Sequence, residues 1–279
     1  MNLDEVTALT GLVVVGTHAL ADHVFEVDTA DGDLLVAKHD PRPNAVAAEA
    51  AGLAWLTEPG AVAVPHVRAH DDRWLVMEQV EQTGPSPAVA EDFGRGLADL
   101  HAAGASAFGA APGPVDAWIG LAPMRCVPAP AWPEWYAADR VEPHLRSAAN
   151  RGLLEAEGVH AIERVCARIT ELSGPAEPPA RLHGDLWSGN VLWTRDRVWL
   201  IDPAAHGGRR ETDLAMLALF GCPHLDRILA AYDEHRPLAD GWRARIPLHQ
   251  LFPLLVHTVL FGAGYARESR LAAEAALRI

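Results

Sequence analysis

Two short apolar runs, Val191–Trp193 and Val198–Ile201, close on a four-residue charged turn, Thr194–Arg197. A polar octapeptide, His183-Gly184-Asp185-Leu186-Trp187-Ser188-Gly189-Asn190, leads into the first run, and Asp202 ends the second. Apolar runs of this length around a turn read as paired strands. A short loop between two such strands can hold Asp185, Asn190 and Asp202 within a few ångströms. No other stretch constrains the fold so tightly, because three polar groups far from random in type are pinned to one hairpin.

The residue types suit one chemistry. Asp185 and Asn190 are five positions apart, and Asp202 follows Asn190 by twelve. This matches the catalytic hairpin of kinases, with an Asp to accept the substrate proton and an Asn and a second Asp for metal. Phosphoryl transfer spreads negative charge over the γ-phosphate, so Mg²⁺ must bridge the phosphates. Mg²⁺ is a hard cation that takes oxygen ligands, which an amide carbonyl and a carboxylate supply. His183 reads as a buried residue bracing the loop. Trp187 reads equally well as a wall of the acceptor site or as core filler.

Upstream, Leu34–Lys38 is an apolar run ending in Lys38, an arrangement like that of the kinase lysine that contacts the α- and β-phosphates. Glu49 lies eleven residues later on an alanine-rich segment, Ala45–Leu56, of helical spacing, and is the candidate ion-pair partner. Leu75–Val80 precedes the linker. In a kinase this strand leads to the adenine, so the backbone of Glu78, Gln79 and Val80 is the candidate adenine contact. Downstream, Glu211 and Asp213 open a helix, where carboxylates suit the N-terminus. Asp213 reads as a brace for the catalytic loop. Arg209 and Arg210 are candidates for the substrate pocket, or a solvated basic pair.

The rest of the chain supports a two-part organisation. Val24–Asp28, the Asp31-Gly32 turn and Leu34–Lys38 read as a hairpin, and Trp74–Glu78 as a further strand. Glu81–Pro87 holds a glycine and two prolines and reads as a linker. Val89–His101, Glu134–Ala149 and Leu154–Leu172 read as helices, and Glu211 to Ile279 as helices split by Gly and Pro. Ala111–Pro133 holds six prolines and is expected to be irregular. The expectation is an α+β chain of bilobal, protein-kinase-like fold: residues 1–80 a nucleotide-binding lobe with a small antiparallel sheet and one helix, residues 81–279 a mostly helical catalytic and substrate-binding lobe.

Composition narrows the partners. Lys and Arg number 23 against 37 Asp and Glu, a formal charge of −14. That field opposes binding to nucleic acid or an anionic membrane. The three cysteines, Cys126, Cys166 and Cys222, are scattered and without Cys-x-x-Cys spacing, so neither a disulfide framework nor a zinc site is expected and a reducing cytoplasm is the natural setting. Met1–Thr10 lacks the features of a signal peptide. Leu251–Phe261 is too short to span a membrane and contains His257.

The octapeptide His183–Asn190 also carries a resemblance. It is similar to the most specific string of the fructosamine kinase (ketosamine-3-kinase) family, relatives of aminoglycoside phosphotransferases and choline kinases. The likeness continues through Ile201–Ala204, Arg210–Met216, Leu219–Gly221, Pro237-Leu238, Gly241-Trp242, Leu254–His257 and Leu260–Gly262. Ile119–Leu121 and Trp132–Leu145 fit as well, so it spans nearly the whole chain. The resemblance implies that ATP, with Mg²⁺, phosphorylates the 3-hydroxyl of a ketoamine sugar such as fructosyl- or ribulosyl-lysine, free or in a protein. The product is unstable and releases the amine, so the process is a deglycation. The resemblance makes Asp185 the base, Asn190 and Asp202 the metal ligands and Lys38 the phosphate contact. The chain is expected to be a monomer. An aminoglycoside or amino-alcohol kinase and a nucleotide-binding pseudokinase are the alternatives.

Two departures from the family pattern stand out. Its phosphate-covering loop is glycine-rich, whereas Val15–Asp22 holds only Gly16. Where the family has Tyr-Gly-His-Arg-Glu, this chain has Gly207-Gly208-Arg209-Arg210-Glu211.

Overall fold

The computed structural model describes residues 3–279. Met1 and Asn2, at the head of the segment read as no signal peptide, lie outside the described residues. Helix α1 (Leu3–Thr10) precedes a five-stranded antiparallel sheet of β1 (Val14–Ala21), β2 (Val24–Thr29), β3 (Leu34–His39), β4 (Val67–His70) and β5 (Trp74–Glu78). Their order is β1-β2-β3-β5-β4, with helix α2 (Ala45–Thr57) crossing between β3 and β4. The N-terminal lobe therefore carries two helices, where the sequence suggested one. Helix α1 is short; its fully buried Val6, with Leu9 packed beside it, anchors it to the sheet.

Strand alternation sorts the sheet into two faces. Leu35 and Ala37 of β3, with Trp74 and Val76 of β5, pack under α1. Leu75 and Met77 of β5 face the other way, onto Val46, Leu53 and Leu56 of α2. Lys38, odd-numbered neighbours aside, falls on the α2 side of β3, which is why it meets Glu49.

Extended backbone after β5 leads to α3 (Pro87–Ala102), whose N-cap Ser86 accepts a hydrogen bond from the Val89 N–H. The expected irregular stretch contains a hairpin, β6 (Asp116–Ile119) and β7 (Ala122–Arg125). Pro123 is tolerated because β6 and β7 form a ribbon of only two strands, in which every strand is an edge.

A long helical passage follows: α4 (Trp132–Trp135), a wider π-turn over Tyr136–Val141, α5 (Glu142–Asn150), α6 (Ala156–Ala167) and α7 (Ile169–Leu172). Then come β8 (Ala180–Leu182), β9 (Val191–Trp193), β10 (Val198–Leu200) and β11 (His206–Gly208). The chain ends in α8 (Glu211–Phe220), α9 (Leu225–His235), α10 (Trp242–Phe261) and α11 (Ala266–Ala276). Among the described residues, no helix is long and apolar enough to cross a membrane.

One core joins the sheet side to the helical side. It runs from Leu53 and Leu56 of α2 through Leu97 of α3 to Leu200 of β10 and Leu214 of α8. The Leu200 N–H also donates to the Ala63 carbonyl at 2.9 Å. A second core, around Tyr136, Ile162 and Leu255, lies in the helical part and takes in Ile119 and Met124 of the β6–β7 hairpin, with Ala48 of α2 packed against it.

Candidate active site

Strands β9 and β10 pair in the register Val191↔Leu200 and Trp193↔Val198. This sets Asn190, just before β9, beside Ile201 and Asp202, just after β10. The Asn190 Nδ2 donates to the Asp185 carbonyl at 2.8 Å and lies 3.4 Å from Asp185 Oδ2 and 3.5 Å from the Asp202 carbonyl. One amide thus links the loop aspartate to the hairpin aspartate, and its own Oδ1 is left for another partner. Asp202 holds φ +56°, in the left-handed region that Asp tolerates better than most side chains.

Lys38 reaches the same point from the sheet. Its Nζ lies 2.7 and 2.8 Å from the two Glu49 oxygens and 2.7 Å from Asp202 Oδ1. Burial alone would lower the lysine, but Glu49 and Asp202 outweigh it and raise it, so Lys38 is cationic. Burial pushes Glu49 up to about 7, with Lys38 opposing and Asp202 assisting. Asp185 is likewise pushed up to about 7 by burial first and by the Asp202 charge second.

The catalytic loop is braced from below. Asp213, near the start of α8, accepts the His183 N–H at 2.8 Å and the Gly184 N–H at 3.0 Å. It also meets His101 Nε2 at 3.2 Å, and His101 Nδ1 meets the Tyr232 hydroxyl at 2.8 Å. His183 is fully buried. Its Nε2 sits 2.9 Å from the Ile201 carbonyl and its Nδ1 accepts the Asp185 N–H at 3.3 Å, which fixes a neutral ring with the proton on Nε2. Gly184 is at φ +84°, and a Cβ there would lie 2.1 Å from the Ala204 carbonyl oxygen. No other residue fits that turn.

Asp185, Asn190, Asp202, Lys38 and Glu49 all line one cavity of about 560 Å³ between the sheet and the helical part. Trp187 lines it too and is 40% exposed, so it is wall and not core filler. Opposite stand Asp22 and His23, the tight turn between β1 and β2, with His23 at φ +63°. The glycine-poor segment Val15–Asp22 is therefore mostly strand, and its tip presents an acid and an imidazole to the cavity.

Three predicted adenine contacts, Glu78, Gln79 and Val80, sit where β5 ends, beyond the residues lining this cavity. The N–H groups of Glu78 and Gln79 are already donated, to the carbonyls of His66 and Leu34. Among the described residues, nothing accepts the Val80 N–H.

Arg209 and Arg210 are not brought to the cavity. Strand β11 runs antiparallel to β8, pairing His206 with Leu182 and Gly208 with Ala180. Since the catalytic loop leaves β8 at Leu182, that register carries residues after Gly208 away from it. Arg209 is buried, with its guanidinium over the Trp132 ring and donating to the carbonyls of Ser173 and Pro175. Arg210 pairs with Glu177 at 2.6 Å and donates to the carbonyls of Arg236 and Pro237. Both arginines are tied to backbone and to each other's neighbourhood, so the substrate-pocket expectation is withdrawn.

The β6–β7 hairpin was missed as a site element. Arg42, gripped by Asp40, donates to the Gly120 carbonyl at 2.7 Å and lies 4.5 Å from the Trp118 ring centroid. Trp118 Nε1 donates to the Pro43 carbonyl at 2.9 Å. This latch ties the hairpin to the segment before α2 at the cavity rim. An Ile-Gly-Leu turn between tryptophan and a proline-bearing run was the available signal.

A small antiparallel sheet above a helical lobe, with a lysine, two aspartates and an asparagine converging between them, defines a kinase of the protein-kinase-like class. The chain belongs to the fructosamine kinase family, whose model, described as fructosamine kinase, matches residues 21–278. A Thermobifida fusca structure provisionally named a fructosamine-3-kinase is 49% identical, covers 99% of this chain and 98% of its own, and superposes with a TM-score of 0.94. A probable ketoamine kinase from Thermus thermophilus is 36% identical over 227 residues, 81% of this chain and 80% of that protein. A macrolide 2'-phosphotransferase from Brachybacterium faecium, 19% identical with a TM-score of 0.65 and covering 97% and 96% of the two chains, shares the fold.

Proposed function

We propose that this kinase uses ATP to phosphorylate the 3-hydroxyl of ketoamine sugars, fructosyl- or ribulosyl-amines, and so initiates their deglycation. The observation that carries the reading is the meeting of Lys38, Asp185, Asn190 and Asp202 on one cavity wall. The family and the ketoamine kinase names of its relatives support the substrate class.

The donor set fits a hard cation. Asp202 offers a carboxylate oxygen and Asn190 a carbonyl oxygen, while the imidazole of the same loop, His183, is engaged by the Ile201 carbonyl and the Asp185 N–H. Two protein ligands suit an ion that keeps its remaining positions for water and phosphate oxygens. When bound there, Mg²⁺ supplies neutralisation of the charge that develops on the transferred phosphoryl group. Lys38, held cationic by Glu49 and Asp202, would contact the α- and β-phosphates, as the corresponding lysine does in kinases. Asp185 takes the proton of the attacking hydroxyl. A carboxyl pushed up to about 7 is well matched to that task near neutral pH. Asp213 and His183 fix the backbone from which Asp185 projects.

Incubation with Mg·ATP and synthetic fructosyl- or ribulosyl-lysine should release ADP and yield a 3-phosphate visible by ³¹P NMR. D185N should lower both about a hundredfold or more. Absence of turnover on every ketoamine, or turnover on aminoglycosides or amino alcohols instead, would overturn the substrate assignment.

A further inference from the structure

Two tripeptides of like sequence, Leu219-Phe220-Gly221 and Leu260-Phe261-Gly262, have no part in the chemistry above. Each places a Phe as the last residue of a helix, α8 or α10, and each helix is stopped by a glycine at positive φ, +77° and +90°. The two helix ends converge on His257. Its ring centroid lies 4.8 Å from that of Phe220, 5.3 Å from that of Phe261 and 5.0 Å from that of Tyr265. Phe220 in turn meets the Trp187 ring edge-on at 6.2 Å. A continuous run of rings therefore leads from the cavity wall out to the surface.

This run is open to solvent. Phe220 is 37% exposed and Phe261 64%. It is also flush with the cavity rim, since a Cβ at Gly120 would lie 3.8 Å from Leu260, the residue before Phe261, and the neighbouring Leu121 lines the cavity. A contiguous exposed apolar surface of this kind marks a place where something binds. Its continuity with Trp187, and not its apolarity alone, says what that is. An acceptor whose hydroxyl sits at Asp185 has this wall beside it, since Trp187 follows Asp185 by two residues and lines the same cavity.

The ring chemistry also suits one feature of the acceptor. A ketoamine carries a protonated secondary amine next to its sugar. Aromatic faces attract such a cation. His257 donates its Nδ1 proton to the Pro253 carbonyl at 2.7 Å, which leaves Nε2 as an acceptor. Burial lowers its pKa, so the ring adds no competing charge.

We infer that Trp187, Phe220, His257, Phe261 and Tyr265 form an aromatic shelf that receives the amine-bearing arm of the acceptor and favours ketoamines with an extended apolar or aromatic arm. The inference rests on the ketoamine reading and specifies the acceptor within it.

The test uses two acceptors with the same fructosyl group, one built on methylamine and one on phenylpropylamine. The wild-type enzyme should prefer the long arm in kcat/KM. Phe220→Ala and Phe261→Ala should each cut the long-to-short ratio about tenfold, mainly through KM, as the loss of a ring contact of this kind predicts. Phe261→Tyr should restore the ratio. Because Phe261 is well exposed, its variants keep the test valid even where Phe220→Ala lowers the melting temperature. A wild type without preference, or a preference that survives both alanine variants, overturns the shelf and leaves the ketoamine reading standing. No turnover of either acceptor, nor of ribulosyl-lysine, overturns the ketoamine reading and the shelf together.

Discussion

Two pairs of carboxylates lie on either side of the loop that carries Asp185, and they are treated in opposite ways. On the cavity side, Asp185 and Glu49 are both pushed up to about 7. On the far side, Glu211 is held at about 2 and Asp213 is held below its ordinary value. Burial pushes all four upward. The difference is the number of donors. Glu211 takes two hydrogen bonds from Arg245, at 2.6 and 2.9 Å, and one from His249 at 3.1 Å. Asp213 takes two backbone N–H groups and His101. Asp185 has only a long contact from the Asn190 amide, and Glu49 shares Lys38 with Asp202. Glu211 and Asp213, which hold the fold, are saturated, while Asp185 and Glu49 at the cavity are left short of donors. Under-paired acids in a cavity are where proton transfer and cation handling take place.

The sharpest way to break this comparison is D185N. Activity should fall about 10²–10⁴-fold, the usual contribution of a general base. Stability should move the other way. A carboxyl with a raised pKa destabilises the fold in its charged form, fully above about 7 and not at all below its ordinary value of 3.8. The melting temperature of D185N should therefore exceed wild type at pH 8, and the gain should vanish near pH 4. Equal melting curves at pH 8 would show that Asp185 is not under-paired.

Glu211→Gln is the converse. It strips one partner from a buried ion pair, Glu211 2% and Arg245 4% exposed at the side chain, and should cost about 3–5 kcal/mol of stability. The kcat of the folded fraction should stay near wild type. Denaturant titration and single-temperature kinetics separate the two. Asp213→Asn lies between these cases. It weakens charged hydrogen bonds to the His183 and Gly184 N–H groups, and should cost about 1.5–3 kcal/mol while lowering kcat more than it raises KM.

Acid should dismantle the saturated side first. His206 is held at about 3 and His144 at about 4, both by burial that disfavours the charged ring. A base with a depressed pKa contributes its stability above 6.5 and loses it as pH falls toward those values. Glu211 adds a loss below 4.5, complete near 2. Asp185 and Glu49 act the other way, regaining stability as they are protonated between about pH 7 and pH 4. Below pH 4 that gain is complete and the losses at His206 and Glu211 stand alone, so unfolding free energy should drop from pH 4 to pH 3; no drop there would contradict the burial of His206 and the pairing of Glu211.

The sequence made some of this geometry legible and hid the rest. Asp185, Asn190 and Asp202 could be brought together because one short hairpin carries them and strand pairing has a fixed period. Lys38 and Glu49 could be paired because a strand face and a helix turn point the same way. His101 could not be matched to Asp213, since 112 positions separate them and nothing local marks either. The β6–β7 hairpin was hidden by Pro123, which a two-stranded ribbon accepts. Arg209 and Arg210 were misplaced because the direction of β11 depends on its pairing with β8, a long-range fact. The like tripeptides at Phe220 and Phe261 were visible as strings, but their convergence on His257 is set by the packing of α8 on α10.

The smallest expected effect tests whether burial, and not charge as such, governs the contrast. Arg42 and Asp40 form a close pair, at 2.5 Å, yet both side chains are 26% exposed. A partly solvated pair gains little, because water already stabilises each ion and side-chain entropy opposes the contact. Arg42→Ala should therefore leave the melting temperature nearly unchanged, with a cost of about 0.2–1 kcal/mol. What it should alter is the position of the β6–β7 hairpin, since the Gly120 carbonyl and the Trp118 ring lose their partner. KM for the acceptor should rise a few-fold with kcat nearly constant, because the hairpin borders the cavity and touches no reacting group. A stability loss as large as that of Glu211→Gln would mean that this latch, and not the buried cluster, holds the two lobes in register.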